Sequence, residues 1–323
     1  MSPILSICIP TFNRLEWLVK CLCAVFAQVD LLPLGTVEVV VSNNASTDGT
    51  REYLDSIIRP YFVVNHNPEN NHGRNFWTVV EKASGEHVWL LGDDDEPLPG
   101  AVQKVLETLK DVCDWVIPFL TVEHKDLTTT PLRIVDGSFP LRWDLSAESD
   151  FANLASRSRS LAAFGGLISV LIGRRQLLLD GYEATWGWSH DTGFAHVAAL
   201  LHASSEPGSV LAVIPEPMVL FREYNDAVGQ TDPWTRIMID LRAWVKFGEM
   251  QVAGRPRMTD IERAAWYGVL RRHHGLKPMR TLSTFRDEAH PWEEARALLL
   301  KVGYRKEHVA LAGAMPQRYR IKR

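Results

Sequence analysis

His87-Val88-Trp89-Leu90-Leu91-Gly92-Asp93-Asp94-Asp95 is an apolar run that ends in a glycine and three adjacent carboxylates, and its reading decides the fold. A short apolar segment bounded by a turn residue reads as a buried strand, here with a polar loop at its carboxyl end. Working back, Ile4 to Ile9 repeats the pattern before a loop at Pro10 to Arg14. Val37 to Ser42 repeats it again before Asn43 to Gly49, and Tyr61 to Val64 is a further strand. Apolar positions at helical spacing fill the intervals: Leu15 to Gln28, then Tyr53, Leu54, Ile57 and Ile58, then Phe76 to Ala83. Forward of the aspartates, Pro99-Gly100 opens a helix through Val102, Val105, Leu106 and Leu109, and Trp115 to Leu120 is another strand. Such alternation predicts an α/β fold, with a mostly parallel sheet flanked by helices on both faces. Ligands of such sheets sit outside the carboxyl ends of the strands, where loops 10–14, 43–49 and 92–96 converge.

After Phe119 the pattern weakens, with polar segments near Lys125 to Pro131 and Ser156 to Ser160. Leu167 to Ile172 reads as a buried strand, Thr192 to Leu201 as a helix and Val210 to Ile214 as a strand. From Thr235 the pattern is helical: Ile237 to Met250, Ile261 to His274 and Trp292 to Val302. With 323 residues, 46% of them hydrophobic, the chain can bury a large core. It has no apolar run of about 18 residues that would span a membrane, and no secretory pattern near its start. Four cysteines, Cys8, Cys21, Cys23 and Cys113, form no CxxC pair, so the expected compartment is the reducing cytoplasm. Residues 255 to 323 hold 16 Lys and Arg against 7 Asp and Glu, a net of +9; residues 1 to 254 hold 19 against 32, a net of −13. The basic end reads either as solvated helix faces or as attraction to an anionic partner such as the inner face of a membrane. No nucleic-acid motif accompanies it. His273-His274 reads as a solvated helix end.

Three adjacent carboxylates repel one another, and a hard divalent cation is the usual way to neutralise them. The plain alternative is an acidic turn at the start of the next helix. In the same way, Ser42-Asn43-Asn44-Ala45-Ser46-Thr47-Asp48-Gly49-Thr50 is either an ordinary loop with Asp48 capping a helix, or a set of amide and carboxylate partners for a base and ribose.

These blocks, namely 6–14, 39–50 and 83–95, resemble in order and spacing the family 2 glycosyltransferases of the GT-A fold, over roughly the first 110 residues. The resemblance leans to the bacterial branch that transfers sugars, including deoxysugars such as abequose, in surface-polysaccharide assembly. It implies a GT-A domain over 1–225, with donor binding in 1–120 and the acceptor side in 121–225, then a helical basic region over 226–323. It implies a nucleotide-diphospho-sugar donor, Mg²⁺ or Mn²⁺, and a carbohydrate, lipid-linked sugar or small-molecule acceptor. By position, Pro10, Thr11 and Asn13 would lie along the nucleotide, Arg14 near phosphate, and Asn43, Asn44 and Asp48 at base or ribose. The family often has Asp where this chain has Asn43 or Asn44. Asp93, Asp94 and Asp95 would form the DxD-type metal and nucleotide element, with either Asp94 or Asp95 as principal metal ligand. Gly73, Arg74 and Asn75 fall in the donor loop, in a stretch shorter than the family's.

Inverting transfer needs a general base, which the family places at the start of a helix in the second half of the domain. Asp191 in Trp186-Gly187-Trp188-Ser189-His190-Asp191 matches, with an N-cap as the plain alternative and His190 as the other base. Trp186 and Trp188 are candidates for flanking an acceptor cleft, or for core packing. Gly165 and Gly166 are candidates for close approach to the donor sugar, or for an ordinary turn. A dinucleotide oxidoreductase would need glycines in the 10–14 loop, and a P-loop hydrolase its GxxxxGK[ST] motif; both are absent. A sugar-nucleotide pyrophosphorylase lacks its glycine-rich opening here, which leaves a nucleotide-sugar-binding protein without turnover as the other reading.

Overall fold

The computed structural model describes residues 2–71, 73–225, 233–284 and 292–314. Its strands are β1 (Leu5–Thr11), β2 (Val37–Asn43), β3 (Phe62–His66), β4 (His87–Leu90), β5 (Glu96–Pro97), β6 (Trp115–Glu123), β7 (Thr129–Leu132), β8 (Arg142–Asp144), β9 (Ile172–Arg174) and β10 (Val210–Arg222). The first helices are α1 (Leu15–Val29), α2 (Thr50–Asp55), α3 (Arg74–Lys82), α4 (Ala101–Thr108), α5 (Glu148–Arg157), α6 (Arg175–Ser189) and α7 (Ala195–Ala203). The last are α8 (Pro233–Gly248), α9 (Asp260–His274), α10 (Lys277–Thr284), α11 (Trp292–Lys301) and α12 (Lys306–Ala314).

One sheet runs in the order β3-β2-β1-β4-β9-β6-β10-β5. All residues of β1 and β2 are buried, as expected of strands covered on both faces, and they pair in parallel with Ile9 opposite Val41 and Thr11 opposite Asn43. β4 joins β1 in parallel and ends with Leu90 opposite Cys8, three residues before β1 ends at Thr11, and the three loops leave from one edge. β6 and β10 are also parallel, while β9 lies antiparallel between β4 and β6.

Four expected elements differ. The helix through Ile58 ends at Asp55, and Ile58 is exposed. In place of the strand at Leu167 to Ile172 there is a 3₁₀ turn, Ile168–Val170, followed by the short β9. Ser169 turns its hydroxyl onto the aspartate loop, and a continuous strand would not allow that. The strand expected to stop at Ile214 continues to Arg222 through register shifts around Pro217, where proline interrupts the ladder. The helix expected from Thr192 begins at Ala195, because Trp186 to Ser189 form the last turn of α6.

The C-terminal helices pack on the second half of the sheet domain. Trp266 of α9 stacks on Trp244 of α8 at 5.0 Å and meets Phe164 edge-on at 5.0 Å. Much of the basic surplus is used structurally: Arg257 donates to Leu201 O and Leu145 O, Arg272 to Ser158 O, and Lys301 pairs with Glu249. The boundary expected at 225/226 and the basic residues from 315 to 323 lie outside the described residues. No helix among the described residues is long and apolar enough to cross a membrane.

Candidate active site

Gly92 carries the chain from β4 into the aspartate turn. A Cβ there would lie 3.1 Å from Asp94 Oδ1 and 3.2 Å from Asp95 Oδ2, so any larger residue would crowd the carboxylates that fold back over the strand end. Thr11 Oγ1 donates to Asp93 Oδ2 at 2.7 Å, and Arg14 sets Nε 3.2 Å from Asp93 Oδ1. Arg14 Nη2 donates to Asp94 Oδ2 at 2.5 Å and to Asn225 O at 2.8 Å. Asp95 turns the other way, accepting from Ser169 Oγ and, at 3.2 Å, from Arg222 N. Asp93 and Asp94 therefore meet at Arg14, while Asp95 accepts hydrogen bonds that hold the turn.

Arg222 closes the far side. Its Nη1 donates to Asp94 O at 2.5 Å, and its other guanidinium nitrogens reach Glu96 and Glu123. Four carboxyl groups, on Asp93, Asp94, Glu96 and Glu123, thus face two guanidinium groups, and a fifth, on Asp95, accepts from the Arg222 backbone N–H. Burial pushes the Asp93 carboxyl up to about 7, against the pull of Arg14. Burial also raises Asp94, and it raises Asp95 well above the ordinary carboxylate value, helped by the charge of Asp94. An under-neutralised pair of oxygen donors at a strand end fits a hard divalent cation.

Loops 10–14 and 43–49 are stitched to each other. Asn13 has φ 52°; its Oδ1 accepts from Thr47 N at 2.8 Å and its own N–H donates to Ser46 Oγ at 2.9 Å. Asp48 accepts from Leu15 N at 2.9 Å and from Thr50 Oγ1 at 2.6 Å. Burial would raise the Asp48 carboxyl, but these bonds hold it below the usual range. Asn13 and Asp48 are thus loop fasteners. Pro10 sits at the end of β1, opposite Ser42.

Asn43 and Asn44 lie in an amide network. Asn43 Nδ2 faces His66 Nδ1 at 3.1 Å, and Asn44 Nδ2 donates to Asn70 Oδ1 at 2.7 Å. Asn44 Oδ1 accepts from Asn67 Nδ2 at 3.1 Å and from Asn71 N at 3.0 Å, drawing the 67–71 loop over the end of β2. Asn75 Nδ2 donates to Ser42 O at 2.9 Å. Arg74 is drawn away from the carboxylates: it lies over Trp77 at 3.7 Å and pairs with Glu81 at 3.0 Å.

Asp191 is exposed in the loop between α6 and α7, where it caps nothing, since Phe194 holds the N-cap position of α7. Lys246 Nζ donates to its Oδ1 at 3.2 Å and holds its carboxyl below the usual range. His190 Nδ1 donates to Trp186 O at 2.9 Å. A Cβ on Gly73 would lie 3.5 Å from His190 O and 3.7 Å from Trp186, so this segment borders the donor loop. Trp186 and Trp188 do not flank one cleft. Two apart on a helix, they point to different sides: Trp186 packs edge-on against Trp77 at 5.4 Å, Trp188 against Phe247 at 6.1 Å.

Gly165 and Gly166 are buried turn residues. Gly165 O accepts from His196 Nε2 at 2.9 Å, and a Cβ on Gly166 would strike the Leu161 carbonyl at 2.7 Å, so both have a packing role. Ser169 and Arg222 escaped the sequence reading. An arginine ending a long apolar strand was the one available signal, and the prolines before it concealed the strand's length.

Residues 6–163 match the family description Glycosyl transferase family 2. Over 264 residues the chain is 28% identical to abequosyltransferase RfbV of Salmonella typhimurium, covering 75% of this chain and 74% of the relative. It superimposes on residues 1–349 of S. aureus TarS with a TM-score of 0.63 at 16% identity, covering 97% of this chain and 83% of that one. On the mannosyltransferase PcManGT of Pyrobaculum calidifontis the TM-score is 0.53 at 17% identity, covering 97% and 84%. The GT-A architecture is thus shared along nearly the whole chain, and the family's donor blocks coincide with the loops at the carboxyl edge of the sheet. Residues 6–163 thus carry a match to glycosyl transferase family 2, and with its named relatives the chain is a glycosyltransferase.

Proposed function

We propose that the enzyme transfers one sugar from a nucleotide-diphospho-sugar to an acceptor hydroxyl with inversion at the anomeric carbon. The observation that carries this reading is the carboxylate surplus at the strand end: Asp93 and Asp94, two oxygen donors bridged by Arg14, lie beside the loop that carries Thr11 and Arg14. TarS has been solved with UDP-GlcNAc, and PcManGT with GDP-Man and Mn²⁺, which supports the same donor class and a Mg²⁺ or Mn²⁺ requirement here. Asp93 and Asp94 would hold that ion, which when bound neutralises charge developing on the diphosphate leaving group. Thr11 and Arg14 orient the two carboxylates, and the 67–71 loop, drawn to Asn44, borders the nucleotide.

Asp191 takes the acceptor proton as that oxygen attacks from the face opposite the diphosphate. Its low-lying carboxyl stays ionised at neutral pH, and its exposed position gives an acceptor access. The acceptor is a carbohydrate, a lipid-linked sugar or a small-molecule hydroxyl. Contact with an anionic membrane face through exposed Lys277, Arg305 and Lys306 belongs to the same reading.

The test is a tryptophan fluorescence titration with UDP, dTDP, GDP and CDP, with Mn²⁺ and then with EDTA, followed by anomeric analysis of the product. Saturable, metal-dependent binding of one nucleotide and an inverted product are expected. A retained configuration overturns the mechanism, and no binding to any of the four nucleotides overturns the donor site.

A further inference from the structure

The search for a second chemical site leads to the packed pair α8 and α9, in the helical C-terminal region. Among the described residues, Asp240, His273 and His274 are the group of three or more such side chains that each place one ligand atom within 4.8 Å of the others. The sequence suggested a solvated helix end at the two histidines, but the His274 side chain is only 9% exposed and that of Asp240 only 1%.

His274 Nε2 lies 2.9 Å from Asp240 Oδ2, in an ion-pair contact too poorly aligned for a good hydrogen bond, and a cation between them would serve both atoms. Arg236 Nη1 donates to Asp240 Oδ1 at 2.5 Å, which fixes the carboxylate and leaves Oδ2 turned towards the imidazoles. The rings of His273 and His274 lie 4.6 Å apart at 69°, and His273 is exposed, so solvent can reach the cluster and supply a fourth ligand.

Two imidazoles and one carboxylate suit a borderline cation, in contrast with the all-oxygen donors at the aspartate turn. Zinc bonds of about 2.0–2.1 Å put tetrahedral ligand atoms about 3.3 Å apart, which lies inside the spread seen here. We propose that Asp240, His273 and His274 form a zinc site that fastens the middle of α8 to the end of α9. Binding there adds to the stability of the folded chain, since the unfolded chain does not bring the three residues together.

The experiment uses full-length protein made without a polyhistidine tag, stripped by chelator and titrated with Co²⁺ and then Zn²⁺. Visible d–d absorption of a four-coordinate nitrogen and oxygen site is expected, displaced by one Zn²⁺ per chain, with a rise in melting temperature. His273→Ala, at an exposed position that should not disturb folding, and His274→Asn should each weaken Zn²⁺ binding by about tenfold or more. Asp94→Asn should leave it unchanged, which separates this site from the proposed donor site. Absence of Co²⁺ absorption and of Zn²⁺ uptake in the wild-type protein overturns the proposal, as does unchanged affinity in both histidine variants.

Discussion

Arg14, just ahead of α1, and Asp94, just past β4, meet at 2.5 Å across 80 residues of chain, and this contact links the first nucleotide-side loop to the carboxylate turn. Arg14→Ala leaves Arg222 as the remaining guanidinium among five carboxyl groups. A loss of about 1–3 kcal/mol at pH 8 is expected. The folded pKa of Asp93, about 7, lies above its ordinary 3.8, so the folded protein holds this proton more tightly and loses that advantage as pH rises towards 7. The variant should therefore recover stability on acidification to pH 5.5, or on adding Mn²⁺ at pH 8. Thermal melts under the three conditions check this.

Asp94 and Asp95 are adjacent but do different work. Asp94→Asn should reduce turnover by about 100-fold or more with the melting temperature nearly unchanged, because Asp94 is one of the two carboxylates proposed to hold the ion and Asn keeps an acceptor for Arg14. Asp95→Ala should cost about 2–3 kcal/mol of stability, because Ser169 Oγ and Arg222 N lose a buried acceptor. Denaturant melts and initial rates on both variants separate the roles.

Lys246 holds the Asp191 carboxyl low through a 3.2 Å hydrogen bond. If Asp191 is the base, Lys246→Ala lets its pKa rise, and the acidic limb of the kcat/KM profile moves to higher pH. A variant with an unmoved limb and normal rate argues for a different base. Asp191→Asn should abolish transfer while leaving nucleotide binding intact.

His196 is buried, and burial pushes its pKa from 6.5 down to about 4 while Nε2 donates to Gly165 O. The unfolded chain takes the proton near 6.5 and the folded chain only near 4, so stability is full above 6.5 and falls as pH drops through this window. The full difference is roughly 3 kcal/mol. His196→Gln, which keeps a donor and does not titrate, should flatten the dependence of urea midpoints between pH 7 and pH 5.

The alternating apolar runs and polar strand ends made the first half of the fold legible, since a strand covered on both faces must be apolar throughout and its loops must carry the chemistry. Asp93, Asp94 and Arg14 were legible for the same reason. Their separate hydrogen-bond partners were not: Asp95 is held by Ser169 and Arg222, which lie 74 and 127 residues away. The loop contacts of Asn13 and Asp48 were not legible either, because their hydrogen-bond partners sit on the neighbouring loop or helix start. Trp186 and Trp188 read as a pair until α6 extended over them and sent their rings to opposite sides. The sequence by itself determined the alternation of strands and helices in the first half and the sheet edge where the polar loops gather, because local periodicity and loop composition suffice for that. Only the tertiary structure decided which polar groups are spent on holding the loops and which remain for a ligand, because that depends on partners distant in the chain.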